Sequence, residues 1–317
     1  MTIIAVAGGT GGVGKTIVET LLQEPKHQII ILSRNEPKEE KEEEKEKEDG
    51  TLPKAPHVQI DYSNISALTQ TLEQHAIHTI ISAITIFDDE NSQAQLNLIQ
   101  AADNATTTKR FIPSEYSFVQ TEDLLPIDPS IKYWLSAAKA LQTSNLQYTR
   151  IIPGFFMDYW GMPHARSHLS PHVFGIDIPN GRAAIPGDGN DTLCMTYTYD
   201  MAAFLVRILE LQVWEEFSVV VGDEVTYNQL LGIVEGVTGR KFEVVYDSIE
   251  KVKKGEVTVP AIPDGYSEEE AREMTALVSR LTISGAFDLP QERLNGRFPD
   301  LKPIKVREFL DVWRGKS

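Results

Sequence analysis

The chain has 317 residues, of which 41% are hydrophobic, enough for one large α/β unit or two coupled domains with a full core. A formal net charge of −16 argues against general nucleic-acid binding and gives no electrostatic reason to bind an anionic membrane. With one cysteine, Cys194, and no apolar run near the ~20 residues of a membrane span, we expect a cytoplasmic protein without disulfides or a cysteine metal cluster.

The N-terminus combines a strand, a glycine-rich turn and a helical pattern. Thr2–Ala7 is a short apolar run, and Gly8–Gly14 leads from it into an amphipathic stretch. Glycines let the backbone approach a phosphate closely, and the free N–H groups of the first helical turn favour an anion. The sequence therefore predicts a phosphate-binding turn.

Two motifs overlap in this turn. Gly8, Gly11 and Gly14 fit G-x-x-G-x-x-G, a variant of the dinucleotide fingerprint, whereas Gly9 through Thr16 fit the P-loop pattern G-x-x-x-x-G-K-[ST]. The first predicts a nicotinamide-dependent enzyme or sensor, and the second predicts a nucleoside triphosphatase. The turn alone leaves both open.

The second strand, Gln28–Ser33, ends directly before Arg34, which lies 20 residues after Gly14. At this place a dinucleotide-binding domain distinguishes the adenosine ribose: an acidic residue accepts from the 2′-hydroxyl, whereas an arginine pairs with a 2′-phosphate. Arg34 therefore favours NADP(H), and Glu36 nearby keeps NAD(H) as the alternative.

A nearly continuous run of charged residues follows the second strand. It is of low complexity and cannot bury apolar surface, so we predict that residues 35–56 are a mobile, solvated insertion.

Three further strands follow in order, each separated from the next by a helical pattern. We predict them at His57–Ile60, Thr79–Ile84 and Lys109–Ile112. Asn64 or Ser66 can cap a helix around Ile65–Leu72, and a second helix runs from about Asn91 to Ala105 with Leu96, Ile99 and Ala102 on its buried side. Regular strand–helix alternation indicates a doubly wound parallel sheet.

This order also bears on the P-loop alternative. A P-loop enzyme needs a second strand that ends in an acidic Mg²⁺ ligand, and Asp61 after the third strand could serve. A second strand that leads directly to Arg34 has no role in that mechanism. We therefore favour the dinucleotide interpretation and place Lys15 on the helix surface.

Several short segments in this order resemble the isoflavone reductase-like / NmrA-like family of atypical short-chain dehydrogenases. They are Gly8–Gly14, Ser33-Arg34, Asp61-Tyr62, Ile81-Ser82 and Pro113-Ser114-Glu115-Tyr116, together with Leu146–Trp160, which looks like the family's tyrosine–threonine segment. The likeness covers most of the chain and is strongest over residues 1–160.

The resemblance implies an α/β fold with a Rossmann-like NADP(H)-binding domain at residues 1–152 and a smaller α/β substrate region at residues 153–317, interleaved with the first. It also implies a set of cofactor-binding residues. The pyrophosphate would be bound by Gly8, Thr10, Gly11, Val13 and Gly14, and the 2′-phosphate by Arg34. The ribose would be flanked by Ser82 and Ala83, and the nicotinamide side would be lined by Pro113, Ser114 and Tyr116. The set of cofactor-binding residues also includes Asp61.

Reductases of this family use a lysine near the start of the helix that precedes the tyrosine–threonine pair. An ungapped count places Trp134 at that position, with Lys132 two residues earlier and Lys139 further along the helix. We assign Lys132 as the catalytic candidate. Desolvation and a cationic nicotinamide ring would lower the pKa of such a lysine into a useful acid–base range.

The second half of the chain contains an aromatic segment, with Phe155, Phe156, Tyr159 and Trp160 close together. It predicts either the wall of an aromatic-substrate pocket or a buried packing layer. His164 and His168 have no third ligand near them in sequence, so we predict no metal site. Further along, we predict a helix that Thr226 caps, that runs to Thr238 and that Gly239 stops.

Three hypotheses therefore remain. The first is an NADPH-dependent reductase that transfers hydride to a small, aromatic or secondary metabolite. The second is an NmrA-like sensor that binds NAD(P) and a regulatory protein without turnover. The third is a P-loop nucleotidase. No nucleic-acid or membrane partner is expected, and the sequence makes no prediction of oligomeric state.

Overall fold

The computed structural model describes residues 2–34, 55–263 and 265–316. Its strands are β1 Thr2–Ala7, β2 His27–Ser33, β3 His57–Gln59, β4 Thr79–Ser82, β5 Arg110–Ile112, β6 Gln147–Tyr148, β7 Arg150–Ile152, β8 Phe155–Phe156, β9 Ile176–Asp177, β10 Arg182–Pro186, β11 Thr192–Thr196, β12 Phe217–Val219, β13 Asp223–Thr226 and β14 Glu243–Asp247.

Its α-helices are α1 Gly12–Leu22, α2 Ile65–Gln74, α3 Asp89–Asn104, α4 Ile131–Gln142, α5 Asp158–Gly161, α6 Thr198–Leu209, α7 Tyr227–Thr238, α8 Ile249–Lys254, α9 Glu268–Ile283, α10 Leu294–Arg297 and α11 Val306–Leu310. Short 3₁₀ turns lie at Glu122–Leu124 and Asp311–Trp313.

The chain divides into two compact units. Unit 1 comprises Met1–Glu115, Ser130–Ile151 and Leu205–Ser218, and unit 2 comprises Tyr116–Pro129, Ile152–Phe204 and Val219–Ser317. Each is described below by itself.

Unit 1 is built on a parallel sheet of six strands in the order β3-β2-β1-β4-β5-β6. Each neighbouring pair is parallel. The doubly wound, Rossmann-like sheet predicted from the sequence is therefore confirmed, and β6 is a sixth strand that the sequence pattern did not indicate.

The strand order reverses between β1 and β4. The chain adds β2 and β3 on one side of β1 and then returns to place β4 on its other side. Ala7 lies opposite both Leu32 of β2 and Ser82 of β4, so the carboxyl ends of these three strands are level. Dinucleotides bind at such a reversal, outside the carboxyl ends of the strands.

The central strands form the core of unit 1. In β1 and β2 four consecutive residues are buried, as is typical of a parallel sheet covered on both faces. From the helices, Leu68 and Leu72 of α2, Leu98 of α3 and Leu141 of α4 join the same apolar cluster. Each fully buried leucine contributes about 1.5–3 kcal/mol of hydrophobic free energy.

Local capping explains where the helices begin. The Asn64 side chain accepts from the Ala67 N–H at 3.0 Å, which confirms the cap predicted for α2. Helix α3 begins at Asp89, two residues before the predicted start, because Asp88 caps it by accepting from the Asn91 N–H. Of the three residues predicted to face inward, Ile99 and Ala102 are buried and Leu96 is half-buried. The buried face of α3 also includes Ser92, Gln95, Leu98 and Ala101.

Unit 2 contains two small sheets, β14-β10-β9 and β13-β11-β8. Helix α7 starts with a capping box between Thr226 and Gln229 and ends at Gly239, whose φ is +67°. The predicted cap and stop of this helix are thus confirmed, because both signals are local to the chain.

The predicted charged insertion, residues 35–56, lies outside the described residues except at its end. There Ala55 is buried, and the Pro56 carbonyl accepts from the Ile31 N–H at 2.8 Å beside β2. Among the described residues, no helix combines the length and the apolar composition that a membrane crossing requires.

Asp200 of α6 is a half-buried carboxylate in unit 2, where its Oδ2 accepts from the Ile304 N–H at 2.8 Å. Burial raises its pKa from 3.8 to about 6, and the negative charges of Asp158 and Glu308 add to the effect. Between these two values the folded state keeps a proton that the unfolded state has released, so the stability of the fold decreases as pH rises through this window.

We therefore expect Asp200→Asn to be about 1–2 kcal/mol more stable than the parent protein at pH 7.5, because its amide oxygen still accepts from Ile304 and no charge is buried. At pH 3.5 most of the advantage should disappear, because the unfolded state then keeps the proton as well. Chemical denaturation of both proteins at the two pH values measures it, and an equal difference at both would contradict the assignment.

Candidate functional site

The candidate site lies at the carboxyl ends of β1, β2 and β4 in unit 1, where the glycine turn begins. Gly8 has a φ of +76°, in the left-handed region, and a Cβ there would lie 2.6 Å from the Ala83 carbonyl oxygen. The Ala83 N–H in turn donates to the Ala7 carbonyl at 2.7 Å. The turn is therefore in direct contact with Ala83, which was predicted to flank the ribose together with Ser82, the last residue of β4.

The turn closes on itself around the Gly8 carbonyl. The Gly11 N–H donates to the Gly8 oxygen at 3.0 Å, and a Cβ on Gly14 would lie only 2.1 Å from that oxygen. The spacing of Gly8, Gly11 and Gly14 thus has a direct steric reason: the first turn of α1 packs on the backbone that precedes it.

The N-terminus of α1 offers backbone donors to an anion. Its N-cap is Gly11, which has no side chain to accept from the first N–H groups, and no acidic residue lies in the first turn. Helix geometry leaves the first N–H groups without intrahelical acceptors and concentrates positive charge there. Thr10 is exposed and Val13 half-buried beside this end. The arrangement suits pyrophosphate.

The same geometry disfavours the P-loop interpretation. That motif needs the residues between Gly9 and Gly14 to loop around a phosphate, but Gly12 and Val13 already belong to α1. Thr16 is fully buried, and its hydroxyl donates to the Gly12 carbonyl at 3.3 Å. Lys15 is exposed on the helix surface.

Arg34 follows β2 and is exposed. The Gln59 side chain donates to the Arg34 carbonyl at 3.1 Å, which ties this residue to the end of β3. The Arg34 Nη1 lies 3.7 Å from Glu90 Oε1 in the first turn of α3. Both side chains are mostly exposed, so this pair is weak and can open for a stronger anion.

Asp61 lies just beyond β3, also at the carboxyl edge. Its Oδ1 accepts from the Ser63 N–H at 2.8 Å and from the Ser63 hydroxyl at 2.7 Å, and these bonds lower the pKa of the carboxyl. The carboxylate is exposed and part of a local turn.

Two buried interactions anchor the segment Pro113–Tyr116 that follows β5. The Ser114 N–H donates to the Gln95 side-chain oxygen at 2.9 Å, and Gln95 is 1% exposed. The Glu115 carboxylate forms two hydrogen bonds with Arg150, from Nε at 2.6 Å and from Nη2 at 2.5 Å. Tyr116 begins unit 2 and is half-buried, and the desolvation of its hydroxyl raises its pKa.

Lys132 lies in the first turn of α4 and is 56% exposed. Its Nζ is 3.4 Å from Asp89 Oδ1 and 4.7 Å from the centre of the Tyr133 ring. The hydrogen bond with Asp89 raises the pKa of Lys132. The direction is opposite to the lowering expected from the sequence, because the lysine faces a carboxylate at the N-terminus of α3 rather than a desolvated pocket.

An aromatic cluster lies within unit 2. Phe155 has its ring centre 5.0 Å from that of Phe174, which contacts Tyr159 at 4.8 Å and His172 at 4.4 Å, and His172 contacts Tyr266 at 5.4 Å. The contacts run from the buried Phe155 to Tyr266, which is 42% exposed. Part of the predicted aromatic segment is thus core, and part continues toward the surface.

Unit 2 also brings together Cys194, Glu224 and Asp288, whose ligand atoms lie within 4.8 Å of one another. An arginine already supplies the positive charge there: Arg293 Nη2 donates to Glu224 Oε1 at 2.6 Å. Burial raises the pKa of the Cys194 thiol to about 11, which keeps it protonated. A cysteine binds a metal ion as the thiolate, so the protonated Cys194 and the arginine beside it do not suit a metal ion.

The sequence analysis missed Gln95, the Glu90 and Asp89 carboxylates beside the two basic candidates, and the role of Arg150. A signal for Gln95 was present, since a polar residue at position 95 shares a helical face with Leu98 and Ile99. The others are contacts between distant parts of the chain, for which no local signal exists.

Comparison with known proteins identifies the family to which the chain is similar. The model of the NmrA-like family matches residues 1–309. The chain is 35% identical over 309 residues to "Oxidoreductase BOA1" of Botryotinia fuckeliana (strain B05.10), with 98% of each chain covered.

Two solved structures share the fold at lower identity. "AtPrR2 with NADP+ and (+)pinoresinol" has a TM-score of 0.73 at 22% identity, with 98% of both chains covered. The leucoanthocyanidin reductase–NADPH complex from Vitis vinifera has a TM-score of 0.72 at 17% identity, with 98% of this chain and 99% of that chain covered. The family match over nearly the whole length, together with the 35% identical relative, shows that this chain belongs to the NmrA-like family.

Proposed function

We propose that this protein is an NADP(H)-dependent reductase of the isoflavone reductase-like type, which acts on a small aromatic or secondary metabolite. The observation that carries the proposal is the pairing of the Gly8–Gly14 turn with Arg34 at the ends of adjacent strands. When bound, NADPH supplies the hydride, and the protein supplies geometry and charge.

The glycine turn fits the pyrophosphate. The backbone of Gly8 and Gly14 leaves no room for a Cβ, and the open N-terminus of α1 directs N–H groups at the place where two phosphates would lie. Thr10, Gly11 and Val13 surround that place, and Ser82 and Ala83 border it on the β4 side.

Arg34 suits the 2′-phosphate of the adenosine half. This half belongs beside β2 and β3, because a dinucleotide crosses the sheet at the β1–β4 reversal. A dianionic phosphate near an arginine forms charge-assisted, often bidentate hydrogen bonds, which are stronger than the exposed Glu90 pair. We propose that the phosphate replaces Glu90 as the partner of Arg34, with Asp61 nearby.

The nicotinamide half would then lie beside β4 and β5, next to Pro113, Ser114 and Tyr116. The aromatic cluster of unit 2 supports an aromatic substrate, because edge-to-face ring contacts stabilise a bound ring. Relatives point the same way: one neighbour was solved with pinoresinol. Lys132 is the proposed general acid–base residue, with Asp89 holding its ammonium protonated.

We expect Arg34→Ala to weaken NADPH binding by about 10- to 100-fold, because charge-assisted hydrogen bonds contribute roughly 1.5–3 kcal/mol. NADH binding should change by less than about twofold, since NADH carries no 2′-phosphate. Calorimetric titration with both cofactors measures this, and Arg182→Ala, at an exposed position in unit 2, is the matched control. Equal losses for both cofactors would contradict the role, and no binding of either by the parent protein would contradict the proposed function.

An NmrA-like sensor without turnover is the second candidate. The exposed position of Lys132 and its raised pKa favour it, because a lysine that remains an ammonium is a weak proton donor near neutral pH. Substrate-dependent NADPH oxidation that is lost in Lys132→Ala would decide against the sensor.

A further inference from the structure

Gln95 is a polar residue on the buried side of α3. It is neither one of the proposed cofactor-binding residues nor the proposed proton donor. It is 1% exposed, on the face that also buries Leu98 and Ile99 against the sheet. An amide among apolar neighbours is costly unless its hydrogen bonds are made. Its presence therefore requires an explanation.

One half of the amide has a clear partner. The Gln95 side-chain oxygen accepts from the Ser114 N–H at 2.9 Å, just beyond the carboxyl end of β5. Because a backbone N–H can only donate, the oxygen must face Ser114 and the nitrogen must face away. The orientation of the amide is thus determined by the contact itself.

The nitrogen of the Gln95 amide has no hydrogen-bond partner among residues 2–34, 55–263 and 265–316. This atom, Nε2, is buried. Buried donors in native proteins are nearly always satisfied, because leaving one without an acceptor is energetically costly. The acceptor is therefore an oxygen that the described part of the chain does not supply, and we look for it on a bound molecule or on a water held with it.

The place of Gln95 in the fold identifies the half of the ligand concerned. Ser114 follows β5, and β5 lies beyond β4 on the far side of the β1–β4 reversal from Arg34. A dinucleotide that crosses at the reversal puts its adenosine half beside β2 and its nicotinamide half beside β4 and β5.

We propose that Gln95 is a positioning residue for the nicotinamide half of the cofactor, which holds the Ser114 backbone through its oxygen and donates from Nε2 to an oxygen present in the cofactor complex. This inference rests on the proposed function. The expected consequence is selective. Loss of Gln95 weakens binding of the nicotinamide half beside β5 and leaves binding of the adenosine half beside β2 unchanged.

The test compares two ligands on one set of variants. NADPH carries both halves, whereas adenosine 2′,5′-bisphosphate carries the phosphorylated adenosine and no nicotinamide. For Gln95→Met, which keeps the length of the side chain and removes both hydrogen-bonding atoms, we expect NADPH to bind about 10-fold or more weakly. Adenosine 2′,5′-bisphosphate should bind within about twofold of the parent protein. Gln100→Met, at an exposed position of the same helix, is the control for the substitution itself.

A conservative variant keeps the proposal testable if Gln95→Met folds poorly. In Gln95→Glu a protonated carboxyl group has an oxygen for the Ser114 N–H and an O–H donor in place of Nε2, and burial favours this neutral form. Relative to the parent protein at each pH, NADPH binding by Gln95→Glu should recover at pH 6 and weaken at pH 8. A residue that only fills space would show no such recovery.

The outcomes separate the inference from the proposed function. If the parent protein binds neither ligand, the proposed function fails. If it binds NADPH and both Gln95 variants bind NADPH as the parent does, the positioning role is overturned. Equal weakening of NADPH and adenosine 2′,5′-bisphosphate would also overturn it, because that result indicates general damage to unit 1.

Discussion

Replacement of Gly14 by alanine should abolish tight NADPH binding, with an affinity at least about 100-fold lower than that of the parent protein. The added Cβ would lie 2.1 Å from the Gly8 oxygen, 2.8 Å from the Gly8 carbonyl carbon and 3.0 Å from the Gly9 Cα. All three atoms belong to the backbone, so no side chain can rotate away. Either α1 moves or the turn opens, and in both cases the N–H groups leave the place where the pyrophosphate binds.

The same substitution should lower the free energy of unfolding by about 1–3 kcal/mol, the usual cost of overpacking a close contact. Gly232→Ala is the matched control, since Gly232 lies in α7 and a Cβ there meets nothing within 4 Å. It should leave NADPH binding unchanged and increase stability by about 0.5–1 kcal/mol, because alanine favours a helix over glycine. Normal NADPH affinity in Gly14→Ala would show that the turn is not the phosphate site.

The second large effect is expected at the buried ion pair in unit 1. Arg150 and Glu115 have side chains 5% and 1% exposed, joined by two short hydrogen bonds. The Arg150 guanidinium also lies 4.6 Å from the centre of the Phe217 ring. Removing one member leaves the other charge buried and unpaired, so Arg150→Met should reduce the free energy of unfolding by about 3–5 kcal/mol.

The double variant Arg150→Met/Glu115→Leu should recover most of that loss, because it buries no charge at all. Denaturant titrations of the parent, both single variants and the double variant give the coupling energy as a double-mutant cycle. Arg272→Met removes a pair of similar length on the surface, with Glu268 at 2.7 Å, and should cost less than about 0.5 kcal/mol. If the double variant is as unstable as Arg150→Met, the cost lies in packing and not in the unpaired charge.

Two buried side chains hold the segment that follows β5. Gln95 holds the Ser114 N–H, and Arg150 holds the next residue, Glu115. The segment after β5 is therefore anchored on consecutive residues by buried side chains from α3 and β7. A binding site needs such anchoring, because a shift of about 1 Å in a residue that contacts the bound molecule substantially lowers the rate of a catalysed reaction.

Much of the fold could be predicted because its signals are local. Apolar runs separated by helical patterns indicated the parallel sheet, and Thr226 with Gly239 marked both ends of α7. The predicted start of α3 was wrong by two residues, since the Asp88 cap was overlooked. Its predicted buried face included Ile99 and Ala102 but not Gln95, because the pattern was built on apolar residues alone.

The sequence by itself determined the parallel strands, the glycine turn after β1, and Arg34 at the end of β2. Each follows from residues close together in the chain, where backbone geometry and spacing act directly. Only the tertiary structure decided that Lys132 faces Asp89, that Glu115 pairs with Arg150 and that Gln95 reaches Ser114. Those partners are 19 to 43 positions apart in the chain. They meet because α3, α4 and the strands pack together, and no local sequence pattern indicates the contacts.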